Sequence, residues 1–166
     1  MIAEIGHFAL ILALVLSVVQ CVLPLVGAAR GIGSWMALAR TAAYANALFL
    51  TISFGTLAYS FYISDFTLLN VASNSNSLLP WFYKVAASWG SHEGSILFWA
   101  LMLTWWGFFV ALTSRKLPQE TVARVLGVMG FITAGFVAFM LFTSNPFLRL
   151  FPAAPEGADL NHLLQD

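Results

Sequence analysis

The stretch Trp89-Gly90-Ser91-His92-Glu93-Gly94-Ser95-Ile96-Leu97-Phe98-Trp99 concentrates the unusual chemistry of this chain. A histidine and a glutamate stand side by side among glycines and small hydroxyls, where a loop enters an apolar run. An imidazole there can meet a metal or a carboxylate. Ionisable groups are costly inside lipid and cheap only at its edge, so the pair needs a reason. Ser91 is a candidate N-cap for a helix, and Glu93 in the first turn is favoured by the helix dipole. On that helix His92, Trp99 and Trp106 share a face at sevenfold spacing, one that can hold the flat edge of an apolar ligand. The plainer reading is a capped helix start with interfacial tryptophans, the deeper Trp99 and Trp106 packing against other helices. Adjacent His and Glu point apart on a helix, which makes them a poor acid–base pair.

The other reactive groups are isolated. His7 lies within a turn of the start of the first apolar run, and His162 lies in the tail without ligand-spaced companions. Cys21 is the single cysteine, so no internal disulfide can form. No Cys-x-x-Cys, nucleotide loop, hydrolase elbow or zinc spacing occurs. The residues themselves supply no catalytic group and no metal set.

The elements that must position these residues follow from composition. The 166 residues are 60% hydrophobic and only 8% charged. Mean hydropathy is +0.86. Soluble domains are about 25% charged, so this is a membrane composition. Zero net charge gives no sign of a nucleic-acid partner; membrane lipid is the partner that composition implies.

Four segments are long and apolar enough to span a bilayer, at roughly 5–27, 41–63, 94–114 and 122–143. Lipid demands internal backbone hydrogen bonding, and no barrel alternation is present, so the expected fold is all-α and polytopic. The first run has no basic n-region and is too long for a signal peptide, so it reads as a retained span. Arg30, Arg40, Arg115, Lys116 and Arg124 flank two short loops, against Lys84 and Arg149 on the other side. The positive-inside rule then places the N-terminus, the 64–93 loop and the 144–166 tail outside, in the periplasm of a Gram-negative bacterium.

Small residues at fourfold spacing predict close helix packing: Ala9, Ala13, Ser17 and Cys21; Ala43, Ala47, Thr51 and Gly55; Gly130, Ala134 and Ala138. Gln20 and Pro24 are placed to bend the first helix or bond a neighbour. In the outer loop, Asn74-Ser75-Asn76-Ser77 is a turn cluster. Pro80 and Gly90 then bracket a short amphipathic helix, with Trp81, Phe82, Val85 and Trp89 on one face. This outer interfacial helix lets Lys84 snorkel outward. Thr143-Ser144-Asn145-Pro146 ends the fourth span, and Pro152 and Pro155 keep the tail irregular. The chain stops without a closing helix or a charged tail and reads as one cut short.

Five blocks in order resemble one family: Asp65-Phe66-Thr67; Val71-Ala72-Ser73-Asn74-Ser75-Asn76; Trp89-Gly90-Ser91-His92-Glu93-Gly94-Ser95; Phe142-Thr143-Ser144-Asn145-Pro146-Phe147; and Asp159-Leu160-Asn161 with Leu163-Leu164-Gln165-Asp166. They are similar to the N-terminal region of the CcmF/NrfE-type cytochrome c haem lyases. The resemblance runs from Glu4-Ile5-Gly6 to the last residue and does not separate the two types.

It implies a multi-pass protein of the bacterial inner membrane that takes haem from a chaperone. It also implies other haem lyase subunits as partners, and an apocytochrome c whose Cys-x-x-Cys-His thiols receive the haem vinyl groups. The family's tryptophan-rich haem-handling segment and haem-ligand histidines belong downstream of the Leu-Leu-Gln-Asp block. The cofactor is therefore haem, with its ligands expected outside this sequence, and residues 1–166 alone are expected to be inactive. His162 replaces the family's usual proline. No axial-ligand role transfers to His92 or His162. The residues expected to face haem or a partner on the outer side are Trp89, His92, Glu93, Asn74 and Asn76. A non-catalytic membrane scaffold and an ion- or quinone-handling subunit are the alternatives. The latter predicts opposed intramembrane charges, and none lies between Gly94 and Ser114.

Overall fold

The computed structural model describes residues 1–158; the block Asp159–Asp166, with His162, lies outside the described residues. The described chain is helical, in six α-helices: α1 Ile2–Arg30, α2 Gly33–Tyr62, α3 Leu69–Asn74, α4 Trp81–Gly90, α5 His92–Thr113 and α6 Gln119–Phe142, with a 3-10 turn at Ser114–Lys116 before α6. Four of them, α1, α2, α5 with its 3-10 extension and α6, are long and apolar enough to cross a membrane.

The helices extend past the apolar windows. Gly31 stops α1 in the left-handed region, at φ 70°, and the N–H groups of Gly31 and Ile32 both return to the Gly27 carbonyl. That close allows α2 to begin at Gly33, two turns ahead of its apolar part. Arg40 consequently sits in α2 and not in a loop. The hairpin is tight: a Cβ on Gly27 would lie 2.8 Å from Trp35 Cβ.

α1 packs along α2 and α6, and α2 also packs along α5. Lipid gives helices no hydrophobic reason to associate, so close packing and polar contacts must hold the bundle together. Both are present. A Cβ on Gly130 would lie 3.0 Å from Gln20 Cβ and from the Cys21 nitrogen. Beside it, buried Gln20 donates to the Leu126 carbonyl at 2.8 Å and accepts from Asn46 at 2.8 Å. Ser17 donates to Ala13 O at 2.6 Å and meets Asn46 Oδ1 at 3.3 Å. Gln20 thus ties α1 to both α2 and α6. Asn46, its partner, is 1% exposed.

The fourfold stripes hold only in part. Ala9, Ala13 and Ser17 are buried, as are Ala43, Ala47 and Gly130. Thr51 and Gly55 are exposed, and Leu50, Ser53 and Leu57 take the buried face. With 3.6 residues per turn a strict fourfold row rotates away from its partner, so burial steps back toward threefold spacing. On α6 the burial likewise passes to Thr133, Val137 and Met140.

At one end of the bundle the loop after α2 and the tail after α6 are strapped together. Leu69 N–H donates to Leu148 O at 2.9 Å and Leu150 N–H to Thr67 O at 2.8 Å, around an isolated antiparallel bridge between Leu68 and Arg149. Arg149 also reaches Thr67 and Glu4. Leu68, Val71 and Phe147 seal this cap onto Leu10, Leu57, Phe61, Leu97 and Met140 of the helices.

Candidate functional site

Ser91 is the one non-helical residue between α4 and α5. Its backbone is extended, at φ −74° and ψ 156°, and its hydroxyl accepts from Gly94 N–H at 3.1 Å, the expected N-cap. Ser95 Oγ closes the turn by donating to Ser91 O at 2.6 Å. The corner is close-packed at Gly94: a Cβ there would lie 1.7 Å from the Ser88 carbonyl oxygen. Gly90 is different, since a Cβ would meet nothing within 4 Å. Close backbone approach in this motif therefore belongs to Gly94 alone.

α5 carries His92 and Glu93 out of this corner in different directions. His92 is exposed, as are Trp99 (66%) and Trp106 (67%), so the sevenfold face exists and points away from the bundle. The expectation that these tryptophans pack on other helices fails within the described residues. Trp105 instead reaches back, donating from Nε1 to Thr51 Oγ1 at 3.2 Å. α4 leaves Trp81, Phe82, Tyr83 and Trp89 exposed, the last 6.4 Å from the Phe98 ring. Lys84 does not snorkel outward; its ammonium donates to Ser64 Oγ at 2.8 Å and pins α4 to the turn after α2.

Glu93 is half-buried and lines a polar cleft of about 200 Å³. Asn70, Ser73 and Asn74 form one wall, and Thr143, Ser144 and Asn145 another. Asn74 is held there by donating to Asn70 O at 2.9 Å and to Asn70 Oδ1 at 3.0 Å. The buried Asn70 amide nitrogen has no hydrogen-bond partner among the described residues. Asn76 is occupied elsewhere. It is buried, donates to Ala158 O at 2.9 Å, and accepts from Leu78 N–H at 3.0 Å. Of the five expected outer-face residues, the fold brings Glu93 and Asn74 together. It leaves Trp89 and His92 exposed and commits Asn76 to the tail.

The tail is fixed at a second point. Glu156 accepts from Ser77 N–H at 3.0 Å and from Ser77 Oγ at 2.6 Å. The Ser77 hydroxyl, followed by the Gly157 and Ser77 backbone N–H groups, holds the Glu156 carboxyl below the usual carboxylate range. Nothing in a lone glutamate at position 156 marks this pairing.

A larger cleft, about 350 Å³, lies between the start of α1 and the strap and includes His7, Phe8, Ile11, Phe147 and Arg149. His7 Nδ1 is 3.4 Å from the Asn145 amide nitrogen. Haem iron is held by histidine, cysteine, methionine or tyrosine side chains. Among the described residues this cleft contains one such group, His7, and the polar cleft contains none. No three His, Cys, Asp or Glu side chains gather into a metal site among the described residues. These two clefts do not supply a pair of axial ligands for haem.

The cytochrome C assembly protein family model matches residues 89–166, beginning at Trp89 of the opening stretch. CcmF of Pseudomonas aeruginosa, a cytochrome c-type biogenesis protein, is 57% identical over all of this chain and 25% of its own length. The Escherichia coli CcmF is 48% identical over all of this chain and 26% of its length. The chain is similar to these CcmF proteins along its whole length. It spans about a quarter of the length of these relatives, the N-terminal quarter. NrfE of Haemophilus influenzae is 45% identical over all of this chain and 26% of its own. A solved structure of the cytochrome c haem lyase CcmF superposes with a TM-score of 0.82 at 27% identity, covering 89% of this chain and 25% of that one. The helical bundle thus shares its fold with that CcmF over 89% of this chain.

Proposed function

We propose that this chain is the N-terminal membrane framework of a CcmF-type haem lyase subunit that attaches haem covalently to apocytochrome c. The observation that carries the reading is similarity along the whole chain to proteins of cytochrome c-type biogenesis, together with the fold shared with a cytochrome c haem lyase. Within H. influenzae the chain is 52% identical to CcmF and 45% to NrfE, which favours the CcmF type.

Residues 1–166 serve as one transmembrane region, with the 64–93 loop and the 144–166 tail in the periplasm and the N-terminus outside. The exposed His92–Trp99–Trp106 face and the Glu93–Asn74 cleft then meet haem, the haem chaperone, apocytochrome c or other lyase subunits. Haem would supply the iron and vinyl groups of the reaction. The described residues hold the outer cap in place and supply neither axial ligand.

Orientation is checked by reporter fusions: Gly33 and Gln119 should score cytoplasmic and Ser75 periplasmic, and a cytoplasmic score at Ser75 overturns the topology. Function is checked in a strain lacking its CcmF. Residues 1–166 alone should yield no holocytochrome, and co-expression with the remaining three quarters of a CcmF should restore covalent haem. Covalent haem from residues 1–166 alone would place the chemistry in this segment and defeat the framework reading.

A further inference from the structure

At the end of the bundle opposite the strap, the first turns of α2 and the α5–α6 connection with the start of α6 meet in a cleft of about 270 Å³. Its walls include Arg40, Arg115 and Gln119, with Met36, Leu117 and Val122 as apolar surface. Arg40 donates to the Ser114 carbonyl at 2.9 Å, which fixes its guanidinium at the rim. Arg115 has no acidic partner among the described residues. The acid in the first turn of α6, Glu120, is already paired with Arg124 at 2.5 Å. Among the described residues no acidic side chain lines the cleft. Two helices also begin here, α2 and α6, and neither has a side-chain N-cap. Their first-turn N–H groups add positive potential to that of the arginines.

We propose that this cleft is a specific site for an anionic, ammonium-free phospholipid headgroup of the phosphatidylglycerol kind. Its phosphodiester pairs with Arg40 and Arg115, and guanidinium suits that geometry. Gln119 gives the selectivity for glycerol. Its amide N–H donates to Gly33 O at 3.0 Å, which leaves Oε1 as an acceptor for a headgroup hydroxyl. An ethanolamine ammonium meets two cations here instead. Met36, Leu117 and Val122 give the glycerol backbone an apolar contact, and the cleft lies at the ends of membrane-spanning helices where acyl chains are available. That position favours a lipid over a free phosphate.

The test uses the full chain, exchanged into detergent with equimolar phosphatidylglycerol and phosphatidylethanolamine of matched acyl chains, with retained lipid counted by native mass spectrometry. Phosphatidylglycerol should be retained in preference. Arg115→Gln should lower that preference roughly fivefold, equivalent to about 1 kcal/mol for one basic group at a lipid surface, and Arg115→Lys should keep most of it. Arg30→Gln, at the same end but outside the cleft, should change nothing. Elution volume and helicity confirm that each variant is folded. Equal retention of the two lipids by the wild type overturns the proposal. So does an equal loss with Arg30→Gln, which would mean diffuse surface attraction. Displacement of the lipid by millimolar inorganic phosphate would make this a soluble-anion site and defeat the assignment to lipid.

Discussion

Gly94→Ala tests the account of the corner between α4 and α5. The added Cβ would stand 1.7 Å from Ser88 O, 2.8 Å from Ser88 C and 2.6 Å from Ser91 Oγ, whereas ordinary contact begins near 3.4 Å. Ser88 O belongs to the backbone of α4, so no rotamer relieves it; the two helices must separate by about 1.7 Å. Such overpacking costs about 1–3 kcal/mol. Loss of the Ser91 cap adds about 1 kcal/mol. Alanine's better helix propensity returns about 1 kcal/mol. The net expectation is a loss of about 1–3 kcal/mol, read as a lower midpoint in denaturant titration of the detergent-solubilised protein. Gly90→Ala is the matched control. It adds its Cβ to open space and should be neutral or stabilising by about 0.5 kcal/mol. A Gly94→Ala protein as stable as the wild type would refute the close approach of α4 to α5 at this corner.

Asn46→Leu removes the donor to Gln20 and the partner of Ser17 while leaving Gln20 Oε1 in an apolar interior. Stability should fall by about 1–2 kcal/mol in the same titration, and an unchanged midpoint would show that the network adds nothing to helix packing. Glu156 gives a pH signature. Its folded pKa lies below the ordinary 4.5, so its hold on Ser77 is complete above 4.5 and is lost as pH falls through the lowered value. The Ser77 amide shift, followed by NMR, should titrate in that acid range and stop doing so in Glu156→Gln. A shift insensitive to acid would mean that the tail is not held there.

Hydropathy made the four spans legible because lipid leaves the backbone no other solution. The Ser91 cap was legible because capping is local, and the His92–Trp99–Trp106 face because sevenfold spacing is a property of one helix. What the sequence hid depends on contacts between distant segments. Asn46 looks like any polar residue in a span until Gln20 stands opposite it. Asn76 and Asn74 are equivalent in a turn cluster, yet Ala158 takes one and the cleft the other. Gly90 and Gly94 look alike in the motif, and only the path of α4 distinguishes them. Depth in the span points Trp99 and Trp106 to a helix interface, but α5 turns them outward. The short helix α3 carries no periodicity long enough to read, and the strap joins residues about eighty positions apart.

The central claim is that His92 and Glu93 shape an outer-face surface while haem iron is ligated elsewhere. The most direct measurement is the haem absorption spectrum of His92→Ala in the complete protein, taken alongside the yield of holocytochrome. Axial identity sets the electronics of the iron, so loss of a ligand abolishes or strongly shifts the spectrum. The account predicts an unshifted spectrum with a reduced cytochrome yield. A lost or strongly shifted spectrum, with the protein still present in the membrane at wild-type level, would make His92 a haem ligand and contradict the account.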